Sequence, residues 1–158
     1  MVDIRLVRID DRLIHGQITS AWISDLGVDT IVVADDRTVK DDLQKMMLKM
    51  ATPPNMNLKI FGVEEAASYL KDPGNSGRAL VLVKGAMQAL TLIEKGIAVK
   101  YVNVGNLSMD PKKKNIYKSI WVGEDDIAHF KKINSLGIEL EVRVVPNDRP
   151  IPLFSLIK

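Results

Sequence analysis

The chain contains no cysteine, so it can form neither a disulfide nor a thiolate metal site, and it has no cysteine nucleophile. No apolar run approaches the roughly 20 residues that a membrane-spanning helix needs. The N-terminal stretch "MVDIRLVRID" carries too much charge for a signal peptide. Together these absences predict a cytoplasmic protein of a reducing compartment.

An excess of charge of either sign is also missing, because 22 basic and 20 acidic residues leave a net charge of +2. This balance provides no broad basic surface, so we expect no nucleic-acid partner. The glycine-rich phosphate-binding patterns GxxxxGK[ST] and GxGxxG do not occur. Asp35-Asp36-Arg37 has no histidine or further carboxylate at a metal-binding spacing, so helix capping is expected there. The sequence therefore predicts neither a metal nor a cofactor.

What the sequence does contain is a regular alternation of two patterns. Short β-branched or alternating runs predict strands at 3–9, 30–34, 58–62, 79–83, 99–104, 119–122 and 138–145. Helical spacing of apolar residues fills most of the intervals. One example is Ile18, Trp22 and Leu26 ahead of Gly27. In a second helix, an apolar stripe of Leu43, Met46, Met47 and Met50 is expected to be core, and "DPKKKN" is expected to be a loop.

Strands separated by single helices pair through right-handed crossovers, which produce a parallel sheet covered on both faces. We therefore expect one domain over residues 1–158 with a doubly wound α/β fold. Its mostly parallel sheet should have about six or seven strands, with helices on both faces. In such sheets ligands bind outside the carboxyl ends of the strands. The loops that follow the strands are therefore the places to search for a site.

The loop after the first strand is the richest of them. His15 precedes a helix expected to begin near Gln17 or Ile18, so an anion at its ring would meet unpaired backbone N–H groups and a helix dipole. A neutral imidazole has a free nitrogen that can attack phosphorus. Other loop residues could bind phosphate oxygens, fix the tautomer of the ring or let the backbone approach closely: Arg8, Asp10, Asp11, Arg12, Gly16 and Gln17.

These residues also permit less specific interpretations. A single histidine in a strand-to-helix loop is often a surface or capping residue, and Asp10, Asp11 and Arg12 could form a solvated ion-pair cluster. The spacing does not decide which of the two acids would orient His15. His129 lies at helical spacing in a charged segment and is expected to be structural or exposed. Two further loops have the residue types of ordinary turns when each is considered alone. They are candidates only because both are expected to lie at the same edge of the sheet as His15. These loops are Lys84-Gly85, and Asn103 to Asn106 with Gly105.

The segment "RIDDRLIHGQI" resembles the active-site signature of the IIB subunits of the mannose/fructose/sorbose family of the bacterial phosphoenolpyruvate-dependent sugar phosphotransferase system. "VNVGN" resembles that family's second characteristic segment, and the likeness extends over essentially the whole chain. The resemblance implies that His15 is phosphorylated, on Nδ1, by the phosphohistidine of a IIA domain. It also implies that Arg12 assists transfer. One loop departs from the family pattern, since "KGAM" stands where many relatives have a hydroxyl residue and a proline, which leaves backbone contacts at Gly85 and Ala86.

The same resemblance implies the partners. His15 would pass its phosphoryl group to a sugar that IIC and IID membrane subunits bring through the membrane, and the chain would associate peripherally with that complex. The surface around His15 should be flat, with Leu13 and Ile14 available to partners through small, transient interfaces. Lys112 to Lys114 could steer an acidic partner or could be a solvated loop. The sequence leaves open which sugar is used and whether the chain forms a homo-oligomer.

Two other classes of protein remain as alternatives. In one, the chain is a non-catalytic phosphate- or nucleotide-binding regulatory domain of flavodoxin-like type. In the other, it is an interaction module of a membrane complex. Covalent, acid-labile and base-stable label after incubation with phosphoenolpyruvate, the general phosphocarrier proteins and a IIA domain would distinguish a phosphocarrier from both.

Overall fold

The computed structural model describes residues 1–157, and strands and helices alternate along it. The strands are β1 (Asp3–Asp10), β2 (Thr30–Ala34), β3 (Asn57–Phe61), β4 (Arg78–Val83), β5 (Tyr101–Asn106), β6 (Lys114–Tyr117), β7 (Ile120–Val122), β8 (Glu139–Val142) and β9 (Ile151–Pro152). The helices are α1 (Gly16–Leu26), α2 (Asp42–Ala51), α3 (Val63–Lys71), α4 (Ala86–Glu94) and α5 (Glu124–Ser135), with 3₁₀ turns at Thr38–Lys40 and Leu153–Ser155. None of the helices within residues 1–157 is both long enough and apolar enough to cross a membrane.

Seven strands form one sheet in the order β3-β2-β4-β1-β5-β8-β9. All of its pairings are parallel except the last, where β9 runs antiparallel to β8. After β1 the chain moves toward β2 and β3, and after β5 it moves the other way toward β8. The direction of winding therefore reverses between β1 and β5, which makes the carboxyl ends of these neighbours the expected ligand-binding edge. The expectation of a doubly wound, mostly parallel α/β sheet is confirmed.

The two faces of the sheet carry separate hydrophobic cores, because successive side chains of a strand point to opposite faces. On β1, Val7 and Ile9 join the core beneath α3, α4 and α5. Leu6 joins the smaller core beneath α1 and α2. Residues 8 and 10 share the face of Leu6, so the buried charged side chains of Arg8 and Asp10 point toward α1.

Two strand expectations need correction. Lys114–Tyr117, part of which falls in the expected "DPKKKN" loop, pairs antiparallel with Ile120–Val122 in a separate two-stranded ribbon. The sequence conceals this hairpin because its turn has no Asn-Gly or Asp-Gly, and Lys118 adopts the positive φ of 33° instead. The strand expected at 138–145 covers only Glu139–Val142.

The apolar stripe of α2 is not core, contrary to expectation. Leu43, Met46, Met47 and Met50 expose 67%, 58%, 60% and 80% of their surface. The helix instead turns Leu48 inward, among the residues packed beneath α1. Helical periodicity identified the apolar face correctly, but it cannot determine which face the neighbouring sheet covers. A four-residue apolar surface therefore lies open on α2, and it is called the α2 apolar face below.

Candidate functional site

The loop between β1 and α1 places His15 directly at the start of a helix. His15 is the residue before the first turn of α1, with extended backbone (φ −149°), and its N–H donates to Thr19 Oγ1 at 2.9 Å. Gly16 follows with φ +51°, a left-handed conformation that glycine adopts at no steric cost. Apart from residues 15–17 and the nearby backbone of α1, no atom of the described residues lies within 4 Å of where a Cβ of Gly16 would stand, so the space beside the helix N-terminus is open.

Leu13 gives this loop its shape. It has φ +59° although it is not glycine, and its N–H closes a turn by donating to Asp10 O at 2.9 Å. This conformation costs about 1–2 kcal/mol for an L-residue. Leu13 and Ile14 are both buried in the core beneath α1, and their burial offsets that cost. The expectation that these two side chains are available to partners is therefore wrong.

Asp10 is the centre of the polar cluster and is almost completely buried. Its Oδ2 lies 2.9 Å from His15 Nε2 and accepts from Arg8 at 3.2 Å. Its Oδ1 accepts from the Arg12 backbone N–H at 3.0 Å and lies 3.5 Å from Arg12 Nε. The question that spacing left open, which acid orients His15, has an answer in this geometry: the carboxyl beside the ring is that of Asp10.

The contacts of Asp10 also determine the tautomer of His15. The carboxylate of an aspartate can only accept hydrogen bonds. The His15 Nε2 that faces Asp10 therefore carries the proton and donates it. In a neutral ring the other nitrogen, Nδ1, then holds the free lone pair. The side chain of His15 is 23% exposed, so the ring is positioned from the inside and accessible from the outside.

Arg8 anchors Asp10 from below and is itself buried. Its NH1 donates to Asn103 Oδ1 at 2.6 Å and to Arg143 O at 3.0 Å, while its NH2 donates to Asp10. A Cβ on Gly105 would overlap the Arg8 guanidinium, so glycine is needed there. Burial lowers the pKa of Arg8 from its ordinary value, and the charge of Asp10 opposes that shift. Asn103 and Gly105 thus position Arg8 within the sheet.

Asp11 points away from His15 and joins two loops. Its Oδ1 accepts from Asn106 Nδ2 and from Ser108 Oγ, both at 2.8 Å, and its Oδ2 accepts from the Ser108 backbone N–H at 2.7 Å. The Asp11 backbone N–H in turn donates to Asn106 O at 3.2 Å. The loops after β1 and β5, which are neighbouring strands of the sheet, are therefore fixed to each other.

Arg12 and Gln17 lie on the outside of the site. The Arg12 side chain is 42% exposed and holds Asp10 only through the long Nε contact, so its guanidinium is free to turn toward a bound group. Gln17 is exposed in the first turn of α1. Both side chains are therefore open to solvent at the edge of the site.

The loop after β4 makes its side-chain contact toward β2, whereas the loop after β5 is bound to the loop after β1. Lys84 Nζ lies 4.0 Å from Asp35 Oδ2, on the side of β2. Gly85 precedes the first turn of α4, whose N-terminus carries no side-chain cap. Asp35 accepts from the Thr38 N–H and Asp36 from the Val63 N–H, contacts of the capping kind expected for this acidic pair. Residues 1–157 contain no cluster of three potential metal ligands.

Outside this edge, the structure places the remaining candidates on the surface. His129 is partly exposed on α5. Lys113 pairs with Asp126 at 3.1 Å, and Lys112 and Lys114 are exposed. Steering of a partner by these lysines stays a prediction.

Two residues of the buried cluster were not singled out as functional by sequence reasoning. Trp22, expected only as a core residue of α1, packs against Arg8, with the Arg8 Cζ 5.3 Å from its ring centroid. Arg143, in the expected strand "ELEVRVV", lies 4.9 Å from the same centroid and pairs with Glu141 at 3.3 Å. Burial raises the pKa of Glu141, and Arg143 opposes that shift. A sequence signal was present, because an arginine interrupts an otherwise apolar strand end.

Comparison with known protein families gives one match over nearly the whole chain. Residues 4–158 match the family described as the sorbose subfamily IIB component of the PTS system. A fructose-specific EIIB component of Bacillus subtilis (strain 168) is 35% identical over 159 residues, covering 100% of this chain and 98% of that protein.

Two further relatives extend the comparison. A mannose-specific EIIAB component of Escherichia coli (strain K12) is 35% identical over 98% of this chain, which spans 48% of that longer protein. Among solved structures, the IIBSor domain of the sorbose permease from Klebsiella pneumoniae superposes with a TM-score of 0.93 at 29% identity. That superposition covers 98% of this chain and 96% of the other.

Proposed function

This chain belongs to the sorbose subfamily of IIB components of the phosphotransferase system, and from that premise we propose that it carries a phosphoryl group on His15. It accepts the group from the phosphohistidine of a IIA domain and transfers it to a sugar that IIC and IID membrane subunits bring in. The chain acts on the cytoplasmic side, associated peripherally with that transporter. In these reactions it is a phosphotransferase, and it needs no cofactor.

The observation that carries the proposal is the 2.9 Å contact between Asp10 Oδ2 and His15 Nε2. It occupies one ring nitrogen as a donor and leaves Nδ1 with the lone pair that attacks phosphorus. A histidine that merely capped the helix would direct its side chain to a backbone N–H, and His15 makes no such side-chain contact.

In the accepting step, the His15 Nδ1 lone pair forms a bond to phosphorus while the bond from phosphorus to the donor nitrogen of IIA breaks. The Nε2 proton stays on the ring, held by Asp10. Phosphorylation at Nδ1 leaves the ring positively charged, and the adjacent Asp10 carboxylate stabilises that charge. No proton has to leave the site when the group arrives.

The transferred group itself is an anion, and the site supplies positive potential from two sources. The N-terminus of α1 begins at Gly16, and its first backbone N–H groups and dipole favour an anion there. The exposed Arg12 can add a fork-shaped guanidinium against the phosphoryl oxygens. Because phosphoryl transfer has a loose transition state with charge on those oxygens, this arrangement assists the reaction mainly by electrostatics and positioning.

In the donating step, a sugar hydroxyl oxygen forms the bond to phosphorus and the bond to Nδ1 breaks. The hydroxyl proton goes to a base of the transporter or to water, and His15 returns to its neutral, Nε2-protonated form. The accessible face of the ring serves both steps, since the two partners must meet Nδ1 in turn. Asp10, which Arg8 holds within the sheet, contacts the Nε2 edge of the ring. This contact stays the same during both steps.

The IIA domain also needs a surface to dock on, and we propose that it covers the α2 apolar face. A surface groove of about 720 Å³ runs from Gly16 and Gln17 at the phosphoryl site to Met50 and Pro54 at the end of α2. Of the α2 apolar face, Met50 lines this groove, so the groove connects the end of that face to the loop where the donor must reach His15. Methionine side chains are flexible and suit contacts that form and dissociate repeatedly.

Phosphoryl transfer is testable with purified components. The protein is incubated with labelled phosphoenolpyruvate, the general phosphocarrier proteins and a IIA domain of this family. The proposal expects one equivalent of acid-labile, base-stable label. Reversible phosphate or nucleotide binding without covalent label would identify a regulatory domain, and neither label nor binding would identify an interaction module.

A further inference from the structure

On α1 a single tryptophan contacts two guanidinium groups. Trp22 is completely buried on α1, and its ring centroid lies 5.3 Å from the Cζ of Arg8 and 4.9 Å from that of Arg143. Its indole N–H donates to Val144 O at 2.9 Å, which fixes the orientation of the ring. Helix α1 is thereby joined to the chain just after β8.

Two cations beside one another would ordinarily repel, so their buried position requires balancing acids. Asp10 pairs with Arg8 at 3.2 Å, and Glu141 pairs with Arg143 at 3.3 Å. Burial is the main cause that lowers the pKa of Arg8, and the charge of Arg143 adds to it in the same direction. The Arg143 Nε is buried and has no hydrogen-bond acceptor among residues 1–157, so the aromatic ring is its neighbouring electron-rich group.

Arg8 is enclosed on its other sides by the sheet. Asn103 and the Arg143 carbonyl accept from its NH1, and the Asn103 amide donates to that same carbonyl at 3.1 Å. Gly105 closes the guanidinium from β5 without leaving space for a Cβ. The sheet alone does not enclose Arg8 from the direction of α1. Trp22 supplies that wall.

We propose that Trp22 and Arg143 are positioning residues for the phosphoryl site. Arg143 and Val144 hold the Trp22 ring, the ring holds Arg8, and Arg8 fixes the Asp10 carboxylate that accepts the hydrogen bond from His15 Nε2. The pair thereby keeps His15 in one tautomer with Nδ1 outward. The effect of Trp22 and Arg143 on the His15 tautomer concerns the unphosphorylated protein. Only the consequence for the rate of phosphoryl transfer rests on the proposed function.

The test compares substitutions that keep or remove the aromatic face. Trp22→Phe keeps a ring beside Arg8, and Trp22→Leu removes it. The matched control is Trp121→Leu, in the separate ribbon that contains β7. Proton-coupled ¹⁵N spectra of the His15 ring, recorded at a pH where it is neutral, measure the tautomer. Thermal unfolding confirms that each variant is folded.

Wild type, Trp22→Phe and Trp121→Leu should show the Nε2-protonated form alone, and Trp22→Leu a mixture of both tautomers. With phospho-IIA as donor, Trp22→Leu should lower kcat roughly 10- to 100-fold, the cost of a misplaced reacting group. Its KM should stay unchanged, because the docking surface is intact. Wild-type tautomer and kcat in a folded Trp22→Leu protein would overturn the proposal.

A second pair of variants tests the proposal if the Trp22→Leu protein does not fold. Arg143→Gln removes the cation that holds the ring, while Arg143→Lys keeps a charge to pair with Glu141. Arg143→Gln should mix the tautomers more than Arg143→Lys does, and equal, wild-type spectra in both would contradict the proposal. If wild type accepts no label at all, the proposed function fails, yet the tautomer spectra still decide the positioning role.

Discussion

Asp10 Oδ2 and His15 Nε2 lie 2.9 Å apart, with the carboxylate buried in the sheet and the imidazole at its edge. This one contact connects the interior of the fold to the chemistry outside it. In the proposed function it selects the nitrogen that reacts, and it provides the negative charge that a phosphorylated ring would need.

The contact predicts a specific defect in Asp10→Asn. The neutral amide no longer balances Arg8, and an unpaired buried charge costs about 3–5 kcal/mol of unfolding free energy. The amide can also present its NH₂ group to the ring, so the fixed Nε2-protonated tautomer should be lost. Urea unfolding measures the first effect and ¹⁵N spectra of the His15 ring measure the second.

Asp11→Asn is the matched control, since Asp11 contacts Asn106 and Ser108 rather than His15. Its His15 ring spectrum should be that of wild type. An Asp10→Asn protein with unchanged tautomer, or an Asp11→Asn protein with a changed one, would show that the orienting acid has been misassigned.

Arg12→Lys should separate the two half-reactions. Lysine keeps the charge but loses the fork that can bind two phosphoryl oxygens. The IIA domain can supply part of the stabilisation when His15 accepts, whereas a sugar hydroxyl is a poor nucleophile and depends more on this chain. We therefore expect near-normal acceptance of label from phospho-IIA and slow transfer to sugar in membranes that contain the cognate IIC and IID.

Rapid-quench measurement of each half-reaction checks this role for Arg12. Equal slowing of both steps would mean that the guanidinium acts generally in the site. An unaffected second step would mean that it does not assist donation to the sugar.

Gly105→Ala should disturb His15 indirectly, through Arg8 and Asp10. The new Cβ would overlap the Arg8 guanidinium, so either Arg8 or β5 must move. Overpacking of this kind costs about 1–3 kcal/mol of stability. Displacement of Arg8 should also alter the His15 ring spectrum through Asp10.

Gly123→Ala provides the comparison, because its Cβ would lie 3.4 Å from Lys113 Cγ, close to ordinary contact with a flexible side chain. Chemical unfolding of both variants gives the two stabilities. Equal stability and equal His15 spectra would show that Arg8 is not confined by β5 as described.

The α2 apolar face predicts a docking defect. Met46→Glu or Met47→Glu puts a charge into an interface core, so the KM for phospho-IIA should rise on the order of tenfold, in line with a loss of about 1.4 kcal/mol of binding. The kcat and the folding stability should stay close to wild type, since both side chains are exposed. Leu136→Glu, an exposed apolar position at the end of α5, should leave KM unchanged. Equal KM values in all of these proteins would exclude this face as the docking surface.

Local patterns predicted much of the fold because most strands and helices can be recognised from the spacing of their own apolar residues. The alternation of β1 and the apolar run of β2 gave the parallel sheet and the edge where a ligand should bind. The β6–β7 hairpin escaped notice because its turn lacks glycine, and β9 because two residues carry too little periodicity. The exposure of α2 depends on what else packs on the sheet, which no local pattern records.

Some residues of the candidate site could likewise be predicted from local sequence, and others could not. Residues at the carboxyl end of β1 were identifiable, since the sequence itself places a cluster of charged residues directly after a predicted strand. The separate roles of Asp10 and Asp11 were not, because neighbouring residues on a strand end point to opposite sides. Trp22 and Arg143 contact Arg8 from distant parts of the chain, and only the folded structure brings them together.

The most direct measurement determines where the phosphoryl group is bound. The protein, labelled with ¹⁵N in its histidines, is phosphorylated through IIA, and NMR couplings between phosphorus and the ring nitrogens are recorded for wild type, His15→Ala and His129→Ala. We predict one phosphohistidine, on Nδ1 of His15, with the Nε2 proton retained; His15→Ala should abolish it and His129→Ala should not. Phosphorus on Nε2, or label that persists in His15→Ala, would contradict the account.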